Sequence, residues 1–461
     1  MSDRLQSGHG PLDEVLGGGL PANAISLIAG LPGTGKTVIA QQYVFWNARP
    51  ERPAVYFSTV SEPLEKIVRF GQTLDFFDRT EVGRSVFFED LGAVVGSGGL
   101  AGVVKQIGTV LKERRPGLIV IDSFKALHAF TDSNSEFREF LHELAGLLSA
   151  LAISSLWIGE YEEAEIGLLA EFAVADAILS LTHERSGQRA IRFLTIQKVR
   201  GGGFRPGQHA YRLSSSGLHL FPRLADTPIE AEYELGDIRA SSGIPALDDL
   251  LGAGYRPGTS TLLAGPSGSG KTLMGLHFIF NGARQGESGV IASLQENRTQ
   301  LQRMAAGFGW SLHEPNVEMM YRSPVDIYID EWAHELIQVI ERTGAKRVLI
   351  DSLADLKLAV TDETRFHEFT YSLVQRFSQQ GVSTMMTFES PELFRTERVS
   401  DSAISHLSDN VVLLNYVREG NSINRAMAVI KSRASHHQPT VCQFTIDPHG
   451  ITLVDSPPSV N

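Results

Sequence analysis

Short runs of β-branched and other apolar residues recur along the chain at intervals long enough for a helix. "AISLIAG", "AVYFST" and "LIVID" are three such runs in the first half. Amphipathic segments of helical length lie between them. This alternation predicts βα units and a mainly parallel sheet flanked by helices. The longest apolar stretch, "LAGLLSALAISSLWIG", falls short of the roughly 20 residues of a membrane span and is broken by serines. It is expected to be a helix running into a buried strand.

The pattern occurs twice. "SGHGPLDEVLGGGLPANAISLIAGLPGTGKT" begins at Ser7, and "SSGIPALDDLLGAGYRPGTSTLLAGPSGSGKT" begins at Ser241. Ser7-Gly8 falls on Ser242-Gly243, Leu12-Asp13 on Leu247-Asp248 and Gly30 on Gly265. Further on, "VRFGQTLDFF" lies beside "AAGFGWSLHE", "LIVIDS" beside "VLIDS", and "IQKVRGG" beside "IKSRASH". Repeats of this length are whole domains, expected at residues 1–225 and 239–461. Between them, residues 226–238 form a polar, acidic linker with one proline.

"GLPGTGKT" (Gly30 to Thr37) and "GPSGSGKT" (Gly265 to Thr272) both satisfy G-x-x-x-x-G-K-[ST]. Glycines let backbone N–H groups curl round an anion at the positive end of the following helix. Gly33, Thr34, Gly35, Lys36 and Thr37 are the expected ATP-binding residues of the first loop. Gly268, Ser269, Gly270, Lys271 and Thr272 are those of the second. Lys36 and Lys271 would neutralise the β- and γ-phosphates during catalysis, and Thr37 and Thr272 would hold Mg²⁺. Each loop lies between a strand-like run ("AISLIAG", "TSTLLAG") and a helix-like one ("VIAQQYVFWN", "LMGLHFIFNG"). Asp122 and Asp351 end the runs "LIVID" and "VLID", where a Walker B carboxylate would orient Mg²⁺. Capping the next helix is the other role open to them.

Charge and composition narrow the partners. A net charge of −12 weighs against a nucleic-acid surface, which needs a basic face. The lone Cys442 forms no internal disulfide and no metal cluster, which fits the cytosol. The opening "MSDRLQSGHG" has no signal-peptide pattern.

Many P-loop ATPases carry a glutamate directly after the Walker B aspartate. Here Ser123 and Ser352 follow instead, so a base must come from elsewhere. "STVSEP" and "SLQEN", at the end of the next strand-like run of each half, carry Glu62 and Glu296 as their last residue but one. At this point the chain resembles the KaiC-type proteins, double-domain members of the RecA-like ATPases, nearly end to end. The resemblance rests on the paired P-loops, the approaches "LDEVLGGGLP" and "LDDLLGAG", the "FG" of each half, and "KVR" and "KSR" near each domain's end. It implies two tandem RecA-like P-loop NTPase domains of the α/β class. In that family the second strand usually ends in two glutamates, the first being the base. Ser61 and Gln295 replace that first carboxylate here. A glutamine can orient water but cannot take its proton. Slow hydrolysis is therefore expected, with Glu62 or Glu296 as base; capping or pairing nearby is their alternative role.

Lys198 and Arg200 recur as Lys431 and Arg433. Residues two apart on a strand point the same way, so each pair can reach one anion; a solvated basic pair is the other reading. The resemblance implies that these cations contact the γ-phosphate of an adjacent subunit, in a double-tiered homohexamer. "RVSDSAISHLSDNVVLL" places Ser400, Ser402, Ser405 and Ser408 where the first half has Gly167, Leu169, Phe172 and Ala175. In autokinase relatives this segment carries adjacent serine and threonine phosphoacceptors. Ser405 aligns with the serine, and His406 takes the threonine position. Autophosphorylation of Ser405 and a merely polar helix face both remain open. The chain ends at "HGITLVDSPPSVN", without the long tail of clock-type members, an expectation against a full oscillator role.

Three functions follow. The leading one is a cytoplasmic ATPase and serine autokinase, working with signalling proteins. The others are an ATP-gated scaffold with negligible catalysis and, weakest, a DNA motor, for which no basic, aromatic strand-binding segment is visible.

Overall fold

The computed structural model describes residues 4–60, 63–186, 189–226, 239–360, 362–389, 406–433, 440–448 and 450–454. The chain divides into two compact units, Met1–Asp226 and Thr227–Asn461.

In each unit a nine-stranded sheet forms the middle layer. In the first, six parallel strands run in the spatial order Val86–Asp90, Ala54–Ser58, Leu118–Asp122, Ser154–Gly159, Ile25–Gly30, Ala177–Ser186. An antiparallel meander through Arg189–Val199, Gln208–Ser214 and Gly217–Phe221 completes it. The second sheet repeats the plan. Val317–Tyr321, Gly289–Ser293, Arg347–Asp351, Ser383–Glu389, Ser260–Gly265 and Asn410–Glu419 run parallel, and Ser422–Ser432, Val441–Asp447 and Gly450–Leu453 follow antiparallel.

The central strands are buried at every position because helices cover both faces. Side-chain alternation divides the first domain's core in two. Leu27, Val55, Ile119 and Trp157 face the helices Gly92–Arg114 and Asn134–Ala150, represented there by Ile107 and Leu144. Ile28, Tyr56, Val120 and Leu156 face the helix Lys36–Asn47 through Ile39 and Tyr43. The stretch that predicts a helix running into a strand does so, as Asn134–Ala150 followed by Ser154–Gly159. Helix Gly92–Arg114 has the length and hydropathy of a membrane span. Its Val103, Ile107 and Leu111 are nonetheless buried in the core.

The strand order bears on function. In both units one strand separates the strand that leads into the P-loop from the strand that ends in the Walker B aspartate.

Candidate functional site

Each P-loop joins a buried strand to a helix whose N-cap is a glycine. Gly35 has φ +90° and Gly270 φ +104°, the left-handed region that an L-residue adopts at a cost. Gly33 and Gly268 lie in the same region, so the two loops share one backbone path. Thr34 is buried, its hydroxyl donating to the Leu31 carbonyl at 2.8 Å; Ser269 at the matching place is also buried.

The lysines curl back over their loops. Lys36 Nζ donates to the carbonyls of Gly30 (2.8 Å) and Leu31 (2.9 Å). Lys271 Nζ donates to those of Gly265 (2.9 Å) and Pro266 (2.8 Å). Burial lowers both lysine pKa values; the Glu160 and Asp122 carboxylates oppose this at Lys36. At Lys271 the opposing carboxylates are Glu389, then Asp351, then Glu296.

The threonines meet the Walker B aspartates. Thr37 Oγ1 donates to Asp122 Oδ2 at 2.9 Å, and Thr272 Oγ1 to Asp351 Oδ2 at 2.7 Å. A second hydroxyl orients each carboxylate: that of Tyr56 at 2.5 Å from Asp122, and that of Thr387 on Asp351. A hydroxyl beside a carboxylate is the hard oxygen pair that Mg²⁺ takes alongside phosphate oxygens. Burial pushes the Asp351 carboxyl up, against the hydrogen bonds from Thr387 and Thr272.

Gln295 lies just past the strand Gly289–Ser293, exposed, with its amide 3.5 Å from the Ser352 hydroxyl. That hydroxyl donates to Asp355 Oδ2 at 2.5 Å. Glu296 is half-buried; burial foremost, then the Asp351 charge, raises its pKa. Lys271, Thr272, Gln295, Glu296, Asp351 and Glu389 line one cleft. Ser61, Glu62, Ser400, Ser402 and Ser405 lie outside the described residues.

The finger candidates are elsewhere. Lys198 is at the end of the strand Arg189–Val199, paired with Ile178, and its ammonium donates to the Ala173 carbonyl at 3.4 Å. Arg200 pairs with Asp176 at 3.2 Å, and Asp176 accepts the Ile25 N–H at 3.0 Å. Ile25 begins the strand whose other end is the P-loop. The second domain repeats this. Lys431 donates to the Ser408 carbonyl (2.7 Å), Arg433 to that of His406 (3.0 Å), and Asp409 accepts the Ser260 N–H (2.9 Å). Each pair thus sits about 16–20 Å, one strand length, from its own phosphate loop. Arg200 and Arg433 keep side-chain exposures of 60% and 57%, enough to meet another molecule.

The structure adds residues that the motif reading passes over. Arg192 Nε is 3.4 Å from the Gly33 carbonyl, and Arg425 Nε is 3.3 Å from that of Gly268. Glu160 directly follows one intervening strand and Glu389 ends the other, and their spacing equals that of Asp122 and Asp351. Repeat comparison could have found both pairs.

A family model described as "ATPase: KaiC" matches residues 5–225 and again 240–457. The chain belongs to the KaiC ATPase family. Among its relatives is the "Circadian clock protein KaiC3" of Synechocystis sp. (strain ATCC 27184 / PCC 6803 / Kazusa), 28% identical over 98% of this chain and 92% of the relative. The "Circadian clock oscillator protein KaiC" of Rippkaea orientalis is 26% identical over 96% of this chain and 87% of its own. That of Synechococcus elongatus is 26% identical, over 96% and 88%. As a KaiC-family member the chain is an ATP-binding protein built from two RecA-like domains.

Proposed function

We propose that this chain is a slow, Mg²⁺-dependent ATPase that works as a double-tiered homohexamer, phosphorylates itself on Ser405 and serves as a cytoplasmic signalling component. The observation that carries the reading is the position of the Lys-Arg pairs at the end of the sheet opposite their own P-loops. From there a pair serves a phosphate only on another subunit. Head-to-tail contact of one surface with a different one makes a ring when its rotation closes, as the proposed hexamer requires.

Gly33 to Thr37 and Gly268 to Thr272 would wrap the phosphates. Thr37 with Asp122, and Thr272 with Asp351, would hold Mg²⁺, which when bound offsets charge on the β- and γ-phosphates. Lys198, Arg200, Lys431 and Arg433 would meet the neighbour's γ-phosphate. Glu62 and Glu296 are the carboxylates left to take a proton, from water or from the Ser405 hydroxyl. The serine reading draws support from the finger contacts. The carbonyls of His406 and Ser408, just after Ser405, accept from Arg433 and Lys431. The cations and the acceptor serine would then arrive together at the neighbour's ATP.

Loss of the first carboxylate in both domains favours a second reading, an ATP-gated scaffold without turnover. Incubation of the pure chain with ATP and Mg²⁺, followed by phosphate release and intact mass, decides. Slow release and one phosphate, absent in Ser405→Ala, are expected. No release and no added mass would leave the scaffold. Turnover that needs DNA would point to a motor.

A further inference from the structure

In the second domain the Walker B strand Arg347–Asp351 has Gly289–Ser293 on one side and Ser383–Glu389 on the other. Glu296 follows the first of these flanking strands, and Glu389 ends the second, paired in register with Gly265 of the P-loop. Both line the cleft that holds Lys271, Thr272 and Asp351. The flanking strands are two sheet spacings apart, about 9.6 Å. The cleft beyond the Walker B strand thus has a carboxylate on each side. The first domain repeats the placement. Glu160 follows Gly159, which pairs with Ala29, one residue before the P-loop. The next residue, Tyr161, is buried and donates to Glu171 Oε1 at 2.9 Å, pinning the chain just past Glu160.

A water that attacks phosphorus in line reacts faster when hydrogen-bond acceptors hold it with a lone pair aimed at the reacting atom. One acceptor takes a proton; the other only orients. With Gln295 in place of a carboxylate, the corner beyond Gly289–Ser293 keeps Glu296 alone as an anionic acceptor. Glu389 is exposed to the cleft from the opposite side, and its charge is the foremost carboxylate influence on Lys271.

We propose that Glu389, and Glu160 at the equivalent place in the first domain, are catalytic residues that orient the attacking water from the P-loop side. In the second domain the water oxygen bonds to the γ-phosphorus. The bond to the β,γ-bridging oxygen breaks, and its electron pair leaves with ADP. One water proton passes to Glu296 and then to phosphate or solvent; the other stays on the product oxygen while hydrogen-bonded to Glu389. This inference rests on the hydrolysis reading above.

The test is steady-state phosphate release and ATP binding by the full chain, its first domain silenced by Lys36→Ala, with Glu389 varied. Glu389→Ala is expected to lower kcat about 10²-fold with little change in KM, the scale for one positioned group. Glu389→Gln, which keeps an oxygen acceptor, is expected to recover part of that loss. An unchanged kcat in Glu389→Ala overturns the proposal. So does a loss confined to ATP affinity, which would make Glu389 only a partner of Lys271. If the Lys36→Ala parent binds ATP but releases no phosphate, hydrolysis in the second domain fails and the role of Glu389 with it. If the parent turns over and Glu389→Ala matches it, only the role of Glu389 fails.

Discussion

Two kinds of residue set this site apart, the glycines that shape it and the amide of Gln295 beside Glu296 in its cleft. A Cβ on Gly35 would enter the left-handed region and meet Leu213 Cδ1 at 2.4 Å; at Gly270 the nearest atom is Ile446 Cδ1 at 3.2 Å. Gly35→Ala and Gly270→Ala should each cost about 1–2 kcal/mol for backbone strain. Thermal unfolding should show the larger loss in Gly35→Ala. Gln295 carries a different prediction. It stands in the cleft beside Glu296 and within reach of Ser352. Gln295→Glu should therefore raise second-domain phosphate release about tenfold or more, since a positioned base contributes at least that. An equal rate in the two proteins would show that position 295 is not the base position.

At the scale of elements, the helix Lys271–Arg284 anchors the second P-loop and buries a histidine on its way. His277 lies edge-on to Trp310 at 4.6 Å between ring centroids. Its pKa is pushed down to about 4, mainly by burial and then by Arg284. An unfolded histidine titrates near 6.5. Between these values the unfolded chain binds a proton that the folded domain refuses, so stability falls as pH drops from about 6.5 toward 4. The loss amounts to roughly 3 kcal/mol over the whole window. Urea denaturation at pH 7 and pH 4.5 should show a smaller acid loss in His277→Gln than in the unsubstituted chain. Equal losses would place the acid sensitivity elsewhere. Nothing in the motif spacing marks His277, because its burial comes from packing against Trp310 and Phe308, about 30 residues away.

For the whole molecule, the Lys-Arg pairs and the P-loops lie at opposite sheet ends, and the proposed hexamer would complete each site from two subunits. Lys271→Ala removes a P-loop cation and Arg433→Ala removes a finger. Each alone should abolish second-domain turnover when the first domain is silenced. Subunits mixed in equal amounts should recover about a quarter of the activity, the share of random interfaces that join an intact loop to an intact finger. No recovery in a mixture shown by mass to contain both subunits would refute sites shared in this way.

The elements that carry local chemistry were legible in the sequence. "AISLIAG" and "LIVID" are the strands Ile25–Gly30 and Leu118–Asp122, and the helix after each P-loop begins at its lysine. A P-loop can be read in eight residues because its glycines, lysine and threonine act within one turn of chain. The repeat then supplied the second copy of every such feature. Sheet order could not be read that way, because strands that touch lie far apart in sequence, as Ile25–Gly30 beside Ser154–Gly159 and Ala177–Ser186. Hydrophobic pattern says that these strands are buried, not which neighbours they choose. Only the fold placed Glu160 and Glu389 beside the P-loops, and Lys198 and Lys431 a strand length away. The sequence determined that this chain binds nucleotide; the tertiary structure decided which side chains share the cleft at the P-loop and which lie at the other end of the sheet.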